Sequence, residues 1–205
     1  GELSGNITLM GKDRSELSDR ESAEKIGFVM QNPDSQTVCD KVSAELAFGL
    51  ESFGVKSGEI QSRVGEMAAF FGIEPLYDRD ISTLSGGQKQ LVGLCSVMAT
   101  DPDILLLDEP TAQLDPVAAR ELLGILDRLN KEMGVTIIIA EHDPEELFDS
   151  CDKILYLAKG KTEFFGTPAL TAKYFVENAL EGFLPETAKA FARLCDDLPI
   201  NVRQG

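Results

Sequence analysis

Short apolar runs alternate with helical patterns through the second half of the chain. The runs cover residues 104–107, 135–140 and 153–157 and are rich in aliphatic and β-branched side chains. Between the first two, residues 116–132 place apolar side chains at helical spacing after an Asp-Pro start, which suits an N-cap and a first-turn proline. Continuous apolar strands that alternate with helices predict an α/β fold with a parallel sheet covered on both faces.

The stretch 38–99 has a different pattern. Residues 42–53, 58–71 and 87–99 each predict a helix, and the strand-like run 26–30 precedes them. The simplest interpretation is a helical insertion inside an α/β core.

Smaller elements are predicted at both ends of the chain. Residues 161–165 predict a hairpin with the preceding strand, and residues 186–198 predict an amphipathic helix after Pro185. At the N-terminal end, residues 6–10 predict a strand and residues 11–13 its turn.

The segment from Gly5 to Lys12 superficially resembles a phosphate-binding loop that ends in Gly-Lys-Ser or Gly-Lys-Thr. Gly5 and Gly11 are separated by one residue too many, and Asp13 stands where such a loop needs a hydroxyl group. Because a carboxylate there would repel phosphate, the strand-and-turn interpretation is preferred. No glycine-rich loop of this kind occurs elsewhere in the 205 residues.

The composition is that of a globular protein, with 43% hydrophobic residues and a net charge of −16. This charge disfavours nucleic acid as a partner, because phosphate binding needs clustered Lys and Arg. It also disfavours unaided adhesion to anionic lipid. Two interpretations of the charge stay open, namely docking onto basic cytoplasmic loops of a membrane partner and solubility alone.

Other sequence features favour a cytosolic protein. The longest apolar runs are far below the roughly 20 residues needed to cross a bilayer. Residues 1–20 lack the apolar core of a secretory peptide. Cys39, Cys95, Cys151 and Cys195 are scattered without metal-ligand spacing, so we expect reduced thiols.

Asp108 and Glu109 follow four aliphatic residues at the end of a predicted buried strand. Their side chains are therefore expected at the carboxyl edge of the sheet, where α/β proteins bind ligands. Successive strand residues point to opposite sides, which lets one acid approach a metal and the other a water molecule.

Ser85 precedes Gly86 and Gly87 at the start of a predicted helix and can act as its N-cap. Glycines there leave backbone N–H groups open to an anion, and the helix dipole adds partial positive charge. A plain Ser-Gly-Gly helix start is the alternative interpretation, but Leu84 before it and Gln88 after it argue against chance.

In this order, the motifs resemble the ABC ATPase family. There, Leu-Ser-Gly-Gly-Gln, here at 84–88, is the signature, and the apolar run ending in Asp-Glu, here at 104–109, is Walker B. The resemblance implies a P-loop NTPase-like, RecA-like parallel sheet core with an inserted α-helical subdomain. The chain would be N-terminally truncated, since Walker A is missing.

The resemblance also implies a role for each matching residue in the subunit's own nucleotide site. Asp108 would hold magnesium through water, and Glu109 would be the general base that polarises the attacking water. Gln31, after the 26–30 strand, would reach the metal and that water. His142, the only histidine, matches the switch residue that contacts the γ-phosphate.

A second set of residues would serve the nucleotide held by the opposite subunit. Ser85, Gly86, Gly87 and Gln88 would grip its γ-phosphate. Asp115 would lie in the loop that crosses to the opposite site.

The loop Gln-Asn-Pro-Asp-x-Gln at 31–36, with residues 44–51 after it, is similar to the energy-coupling-factor branch, whose importers take up vitamins or transition metals such as cobalt. The tail resembles the region after the first cassette of tandem double-cassette members. The natural protein is therefore expected to continue beyond both ends.

The resemblance predicts four parts. Residues 1–30 are the remainder of the N-terminal core, 31–100 the helical subdomain, 101–182 the RecA-like core and 183–205 a helical extension. ATP and Mg²⁺ are the expected cofactors. The expected partners are a second ATPase cassette and a membrane-embedded subunit that docks near 31–50, on the cytoplasmic side of the membrane. A non-catalytic signature donor and a soluble ABC protein of DNA repair or translation remain alternatives.

Overall fold

A computed structural model describes residues 5–142, 147–148 and 150–191. The chain divides into two compact units, Gly1–Ala140 and Glu141–Gly205. None of the helices in the described residues is long and apolar enough to cross a membrane.

The first unit combines a parallel sheet with a group of helices. Its strands are β1 (Thr8–Leu9), β2 (Lys12–Asp13), β3 (Ile26–Val29), β4 (Ile104–Asp108) and β5 (Thr136–Ala140). Its α-helices are α1 (Asp19–Lys25), α2 (Pro33–Gln36), α3 (Val42–Ser52), α4 (Ser57–Phe71), α5 (Gly86–Met98) and α6 (Pro116–Met133).

Strands β3, β4 and β5 form the parallel sheet in that order. Val29, Leu105 and Leu107 lie on one face and are almost completely buried. On this face a Cβ added to Gly27 would lie 2.4 Å from Cγ1 of Val97 in α5. Helix α5 therefore packs directly on the backbone of β3, and a larger residue than glycine would push the two elements apart.

The other face of the sheet is only partly buried in the part of the chain that the structure describes, so the prediction of a sheet covered on both faces is not confirmed there. Phe28, Leu106 and Ile138 form a row across the three strands, and Phe28 and Ile138 are 47% and 56% exposed. The apolar runs gave no sign of this difference, because both faces carry aliphatic side chains. Within the described residues, no element buries this second row.

The helical insertion is confirmed between β3 and β4. Helices α3, α4 and α5 begin and end within about one residue of the bounds expected from the pattern. Glycine in the left-handed conformation ends α4, where Gly72 has φ +67° and its N–H bonds the last turn. The sequence pattern did not identify two further helices of this unit, α1 and the one-turn α2.

The N-terminal segment forms a small antiparallel hairpin of β1 and β2. The predicted turn at 11–13 is wrong by one to two residues. The turn falls at Met10 and Gly11, which have φ +50° and +78°, and Lys12 and Asp13 belong to the returning strand. Consecutive residues with positive φ suit the right-handed twist of a tight hairpin.

The second unit contains β6 (Ile154–Ala158), β7 (Lys161–Gly166), α7 (Pro168–Glu177) and α8 (Glu186–Phe191). The predicted hairpin is confirmed, since β6 and β7 pair antiparallel across a turn at Lys159 and Gly160. The pattern grouped residues 153–157 with the parallel strands, but this strand pairs with β7 in a two-stranded sheet. The end of the helix predicted over 186–198, and Cys195, lie outside the described residues.

The second unit has a core of its own. Its buried members are Phe148, Ala172, Phe175, Leu184 and Ala188. Tyr156 of β6 packs edge-on against Phe175 of α7, with ring centroids 5.2 Å apart. This contact joins the hairpin to the helix that follows it.

Candidate active site

The carboxyl edge of the parallel sheet brings together residues that are far apart in the sequence. Gln31 follows β3 by two residues, and Asp108 ends β4. The Nε2 atom of Gln31 donates a hydrogen bond of 2.6 Å to Oε2 of Glu109, across 78 residues of chain. The predicted proximity of Gln31 and Glu109 is therefore present in the fold.

Glu109 has an unusual backbone for a glutamate. Its φ is +43°, in the left-handed region, which costs a non-glycine residue about 1–3 kcal/mol. Its N–H donates to the carbonyl of Ala140 at 2.9 Å, which anchors this conformation to the end of β5. The strand alternation expected at 108–109 therefore stops at Asp108, and the left-handed turn sets the direction of the Glu109 side chain.

Ser85 is the N-cap of α5, as predicted. Its hydroxyl accepts from the N–H of Gln88 at 3.3 Å, and the Gln88 side chain accepts from the N–H of Ser85 at 3.0 Å. This reciprocal capping box fixes the first turn of the helix. Gln88 therefore has a structural function that the sequence analysis did not assign to it.

The two signature glycines have different surroundings. A Cβ on Gly86 would meet no atom within 4 Å, whereas a Cβ on Gly87 would lie 3.4 Å from Cβ of Ala118 and 3.8 Å from Cδ2 of Leu114. A Cβ at position 87 would therefore make ordinary van der Waals contact with the start of α6 and with Leu114 before it. The packing within this chain gives no reason for a glycine at position 86.

Asp115 is the N-cap of α6, as the Asp-Pro pattern predicted. Its Oδ1 accepts from the N–H groups of Ala118 at 3.1 Å and Val117 at 2.9 Å. These backbone donors lower the pKa of Asp115 below the ordinary aspartate value. The segment predicted to cross to an opposite site is thus held firmly at the base of α6.

Comparison with known proteins decides the family. A sequence model of the family described as ABC transporter matches residues 2–112, more than half of the chain. The chain belongs to the ABC transporter family.

Relatives in this family are longer than the chain. A proposed ABC transporter ATP-binding protein of Bacillus thuringiensis is 40% identical over 206 residues, which cover 100% of this chain and 37% of that protein. Another from Pyrococcus horikoshii is 38% identical over 168 residues, which cover 82% of this chain and 59% of that protein. The chain thus spans little more than a third of the length of its Bacillus relative.

Two solved structures share the fold of ABC ATPase domains. One is cbiO1 from Clostridium perfringens, part of the ABC transporter complex cbiONQ, with a TM-score of 0.77 and 34% identity. It matches 87% of this chain and 72% of that one. The other is a dimer of the ATP-binding cassette MJ0796 with ADP and phosphate, with a TM-score of 0.68 and 26% identity over 80% of this chain and 74% of that one. The predicted P-loop NTPase-like α/β fold is confirmed.

The remaining candidate residues of this ABC cassette stay predictions. Asp108 is exposed at the end of β4, next to Glu109. His142 is exposed and lies in the second unit, so its placement relative to Glu109 is not described. The described residues hold no group of three or more His, Cys, Asp or Glu side chains that could bind a metal.

A buried carboxylate, which the sequence motifs did not identify, contacts the backbone of the loop after α2. Glu45 is 4% exposed, and its Oε2 accepts from the N–H groups of Val38 at 3.0 Å and Cys39 at 2.8 Å. A signal was present, because Glu45 shares a face of α3 with the buried Val42 and Leu46. A charged residue on a buried helical face needs a partner, and here the partner is loop backbone.

Three of the four cysteines lie in the described residues, and two of them, Cys39 and Cys95, are free thiols. Cys95 is completely buried in α5, and burial raises the pKa of its thiol to about 12. It is therefore an inert packing residue.

Proposed function

We propose that this chain is the catalytic part of an ATP-hydrolysing cassette that drives transport. The observation that carries the proposal is the hydrogen bond between Gln31 and Glu109 at the carboxyl edge of the sheet. It places a carboxylate base and a polar amide at one point, where the base can take a proton from water and the amide can orient that water. Membership of the ABC transporter family supports this chemistry.

The residues at this edge suit Mg-ATP in part. Magnesium prefers oxygen ligands and usually keeps several waters, so one or two protein ligands suffice when a nucleotide supplies phosphates. Asp108 offers a carboxylate, and Gln31 offers its amide oxygen, since its Nε2 donates to Glu109. When bound, the ion would neutralise charge on the phosphates. The Lys and the Ser or Thr of a Walker A loop, which would hold phosphate and magnesium, are absent from residues 1–205, and so is the aromatic residue that would stack on adenine.

The signature would act on a second nucleotide. Ser85 and Gln88 hold the first turn of α5 in shape through the capping box, and Gly86 leaves its surface open to an anion. Backbone N–H groups at a helix N-terminus bind phosphate well. ATP would therefore lie between two cassettes, each of which offers its signature to the other. The dimeric MJ0796 structure with ADP and phosphate supports this arrangement.

The energy-coupling-factor branch is the most specific assignment that we propose. The loop at 31–36 supports it, and so does the likeness to cbiO1, a part of the cbiONQ transporter complex. The protein would be a peripheral ATPase on the cytoplasmic side of the membrane, with a membrane subunit docked near 31–50. Its cargo would be a vitamin or a transition metal ion. Relatives of more than twice the length agree with a tandem arrangement of two cassettes.

Because no glycine-rich loop of the pattern Gly-x-x-x-x-Gly-Lys-Ser or Gly-x-x-x-x-Gly-Lys-Thr occurs in them, residues 1–205 alone are expected to have negligible ATPase activity and to bind Mg-ATP weakly. Titration of the isolated chain with Mg-ATP tests this, and tight stoichiometric binding would contradict it. The alternative is a signature donor that does not hydrolyse ATP itself. Such a donor would not need the contact between Gln31 and Glu109 at the edge of the sheet, so the presence of this contact favours the hydrolysing cassette.

Substitution of the proposed base tests the main claim. Glu109→Gln in the intact protein, assembled with its partner cassette, is expected to lower ATP turnover by at least about 10²-fold, the size of a general-base contribution. Glu132→Gln is the matched control, since this carboxylate lies on the surface of α6 and pairs with Arg128 at 3.2 Å. Unchanged turnover in the Glu109 variant would contradict the proposal that Glu109 is the general base.

A further inference from the structure

The segment after Gln31 is tied to the helix that carries the signature. This segment contains the one-turn helix α2, and the Oδ1 of Asn32 caps it by accepting from the N–H of Asp34 at 3.0 Å. Two side chains of α2, Asp34 and Gln36, reach α5. Neither contact could be expected from the motifs, because α2 and α5 are separated by the whole helical insertion.

The first contact is an ion pair. The Nζ of Lys89 lies 2.6 Å from Oδ1 of Asp34, and only 18% of the Lys89 side chain is exposed. Lys89 directly follows Gln88, so it belongs to the first turn of α5. The positive charge of Lys89 is unfavourable near the positive end of a helix dipole, and Asp34 compensates it.

The second contact lies one turn further along the same helix face. Gln36 accepts from the N–H of Met30 at 2.9 Å through Oε1 and donates to the carbonyl of Gly93 at 3.4 Å through Nε2. Residues 89 and 93 are four apart and therefore share one side of α5. Helix α2 thus contacts two successive turns of α5. The hydrogen bond from Met30 to Gln36 also connects α2 to the end of β3.

We infer that Asp34 and Lys89 are positioning residues that hold the signature helix and the Gln31 segment together as one body. The inference rests on the proposed function and adds a physical connection between Gln31 and the signature helix. Gln31 contacts Glu109 at this subunit's hydrolysis centre, and Ser85 faces the nucleotide of the opposite cassette. Through the Asp34–Lys89 pair, a displacement of Gln31 at one site is passed to the signature that completes the other.

A direct phosphate-binding role for Lys89 is the competing interpretation, because the residue adjoins the signature. The structure favours the positioning role, since the side chain is mostly buried and its ammonium group is held by Asp34. The two roles predict different kinetics. If Lys89 binds phosphate, its replacement alone lowers the affinity for ATP. If Asp34 and Lys89 form a positioning pair, replacement of either residue lowers turnover to the same extent.

The test compares Asp34→Asn, Lys89→Gln and the double variant in the intact ATPase with its partner cassette. Each single substitution is expected to lower kcat about two- to fivefold, the range of a partly exposed ion pair, with KM for ATP within about twofold of wild type. The double variant should be no slower than either single one, because both remove the same interaction. Asp34 is 66% exposed, so its substitution leaves the fold intact, which the thermal unfolding midpoint checks.

The matched control is the pair Asp127 and Lys131, whose atoms lie 2.8 Å apart on α6 and join two turns of one helix. Asp127→Asn and Lys131→Gln are expected to leave kcat unchanged. Losses that multiply in the Asp34 and Lys89 double variant, or a rise in KM confined to Lys89→Gln, would overturn the inference. A wild-type protein without Mg-ATP hydrolysis would instead refute the proposed function, so the two failures can be told apart.

Discussion

Replacement of Gly86 by alanine separates a functional glycine from a structural one. Gly86 is the first residue of α5, its φ is not in the left-handed region, and an added Cβ would meet no atom within 4 Å. The substitution therefore causes no clash in this chain. By restricting the unfolded chain it should stabilise the fold by about 0.4–1 kcal/mol, which raises the unfolding midpoint by roughly 1–4 °C.

The expected effect on activity has the opposite sign. If the N-terminus of α5 meets a phosphate of the partner's nucleotide, the new methyl group keeps that phosphate away from the backbone N–H groups. Loss of one charge-assisted hydrogen bond costs about 1.5–3 kcal/mol, so turnover should fall about 10- to 100-fold. The assay is steady-state ATP hydrolysis by the intact protein with its partner cassette, measured beside thermal unfolding.

Gly124→Ala is the matched control for this prediction. Gly124 lies within α6, and a Cβ there also meets nothing within 4 Å. This variant should show a similar stabilisation with wild-type turnover. Wild-type turnover in Gly86→Ala, with the protein folded, would refute the claim that a ligand approaches this surface.

Two further predictions concern titration and reactivity. Because its folded-state pKa is lowered, Asp115 stabilises the fold above the ordinary aspartate value of 3.8, and this contribution is lost as the pH falls through the lower folded value. The unfolding midpoint of Asp115→Asn should therefore fall less steeply than that of wild type in this acid range, and parallel curves would contradict the capping role. Cys95, with a pKa raised to about 12, should resist iodoacetamide at pH 8 in the native protein and react only after unfolding. Rapid native alkylation of Cys95, mapped by mass spectrometry, would show that α5 is less tightly packed than described.

The sequence predicted those elements that are determined by interactions between residues close together in the chain. Helices α3, α4 and α6 and the hairpin of β6 and β7 follow from apolar spacing, caps and turn residues, all of which act within a few positions of the chain. Ser85 and Asp115 were identified as N-caps for the same reason. Their partners are only two or three residues away.

The features that could not be predicted depend on distant partners. The exposure of Phe28 and Ile138 depends on which elements pack on the sheet. An aliphatic strand has the same sequence pattern whether its second face is buried or exposed. The left-handed φ of Glu109 results from the bond of its N–H to Ala140 on the neighbouring strand. The ion pair of Asp34 with Lys89 joins residues 55 positions apart, a distance at which side-chain pattern carries no information.

The candidate site falls between these two cases. Gln31 and Glu109 were selected individually, one from its place after a strand and the other from the Asp-Glu pair. Their proximity depends on the pairing of β3 with β4 as adjacent parallel strands, a strand order that the structure supplies. The hydrogen bond of 2.6 Å between them is a result of the structure.

A double-substitution cycle on this pair tests the central claim most directly. Turnover of ATP is measured in the intact protein for wild type, Gln31→Ala, Glu109→Gln and the variant with both changes. If the two side chains act on one water as a unit, the double variant should be no slower than Glu109→Gln alone, whose turnover should be about 10²-fold below wild type or lower. Losses that multiply would show that Gln31 and Glu109 act independently and would contradict a shared hydrolysis centre.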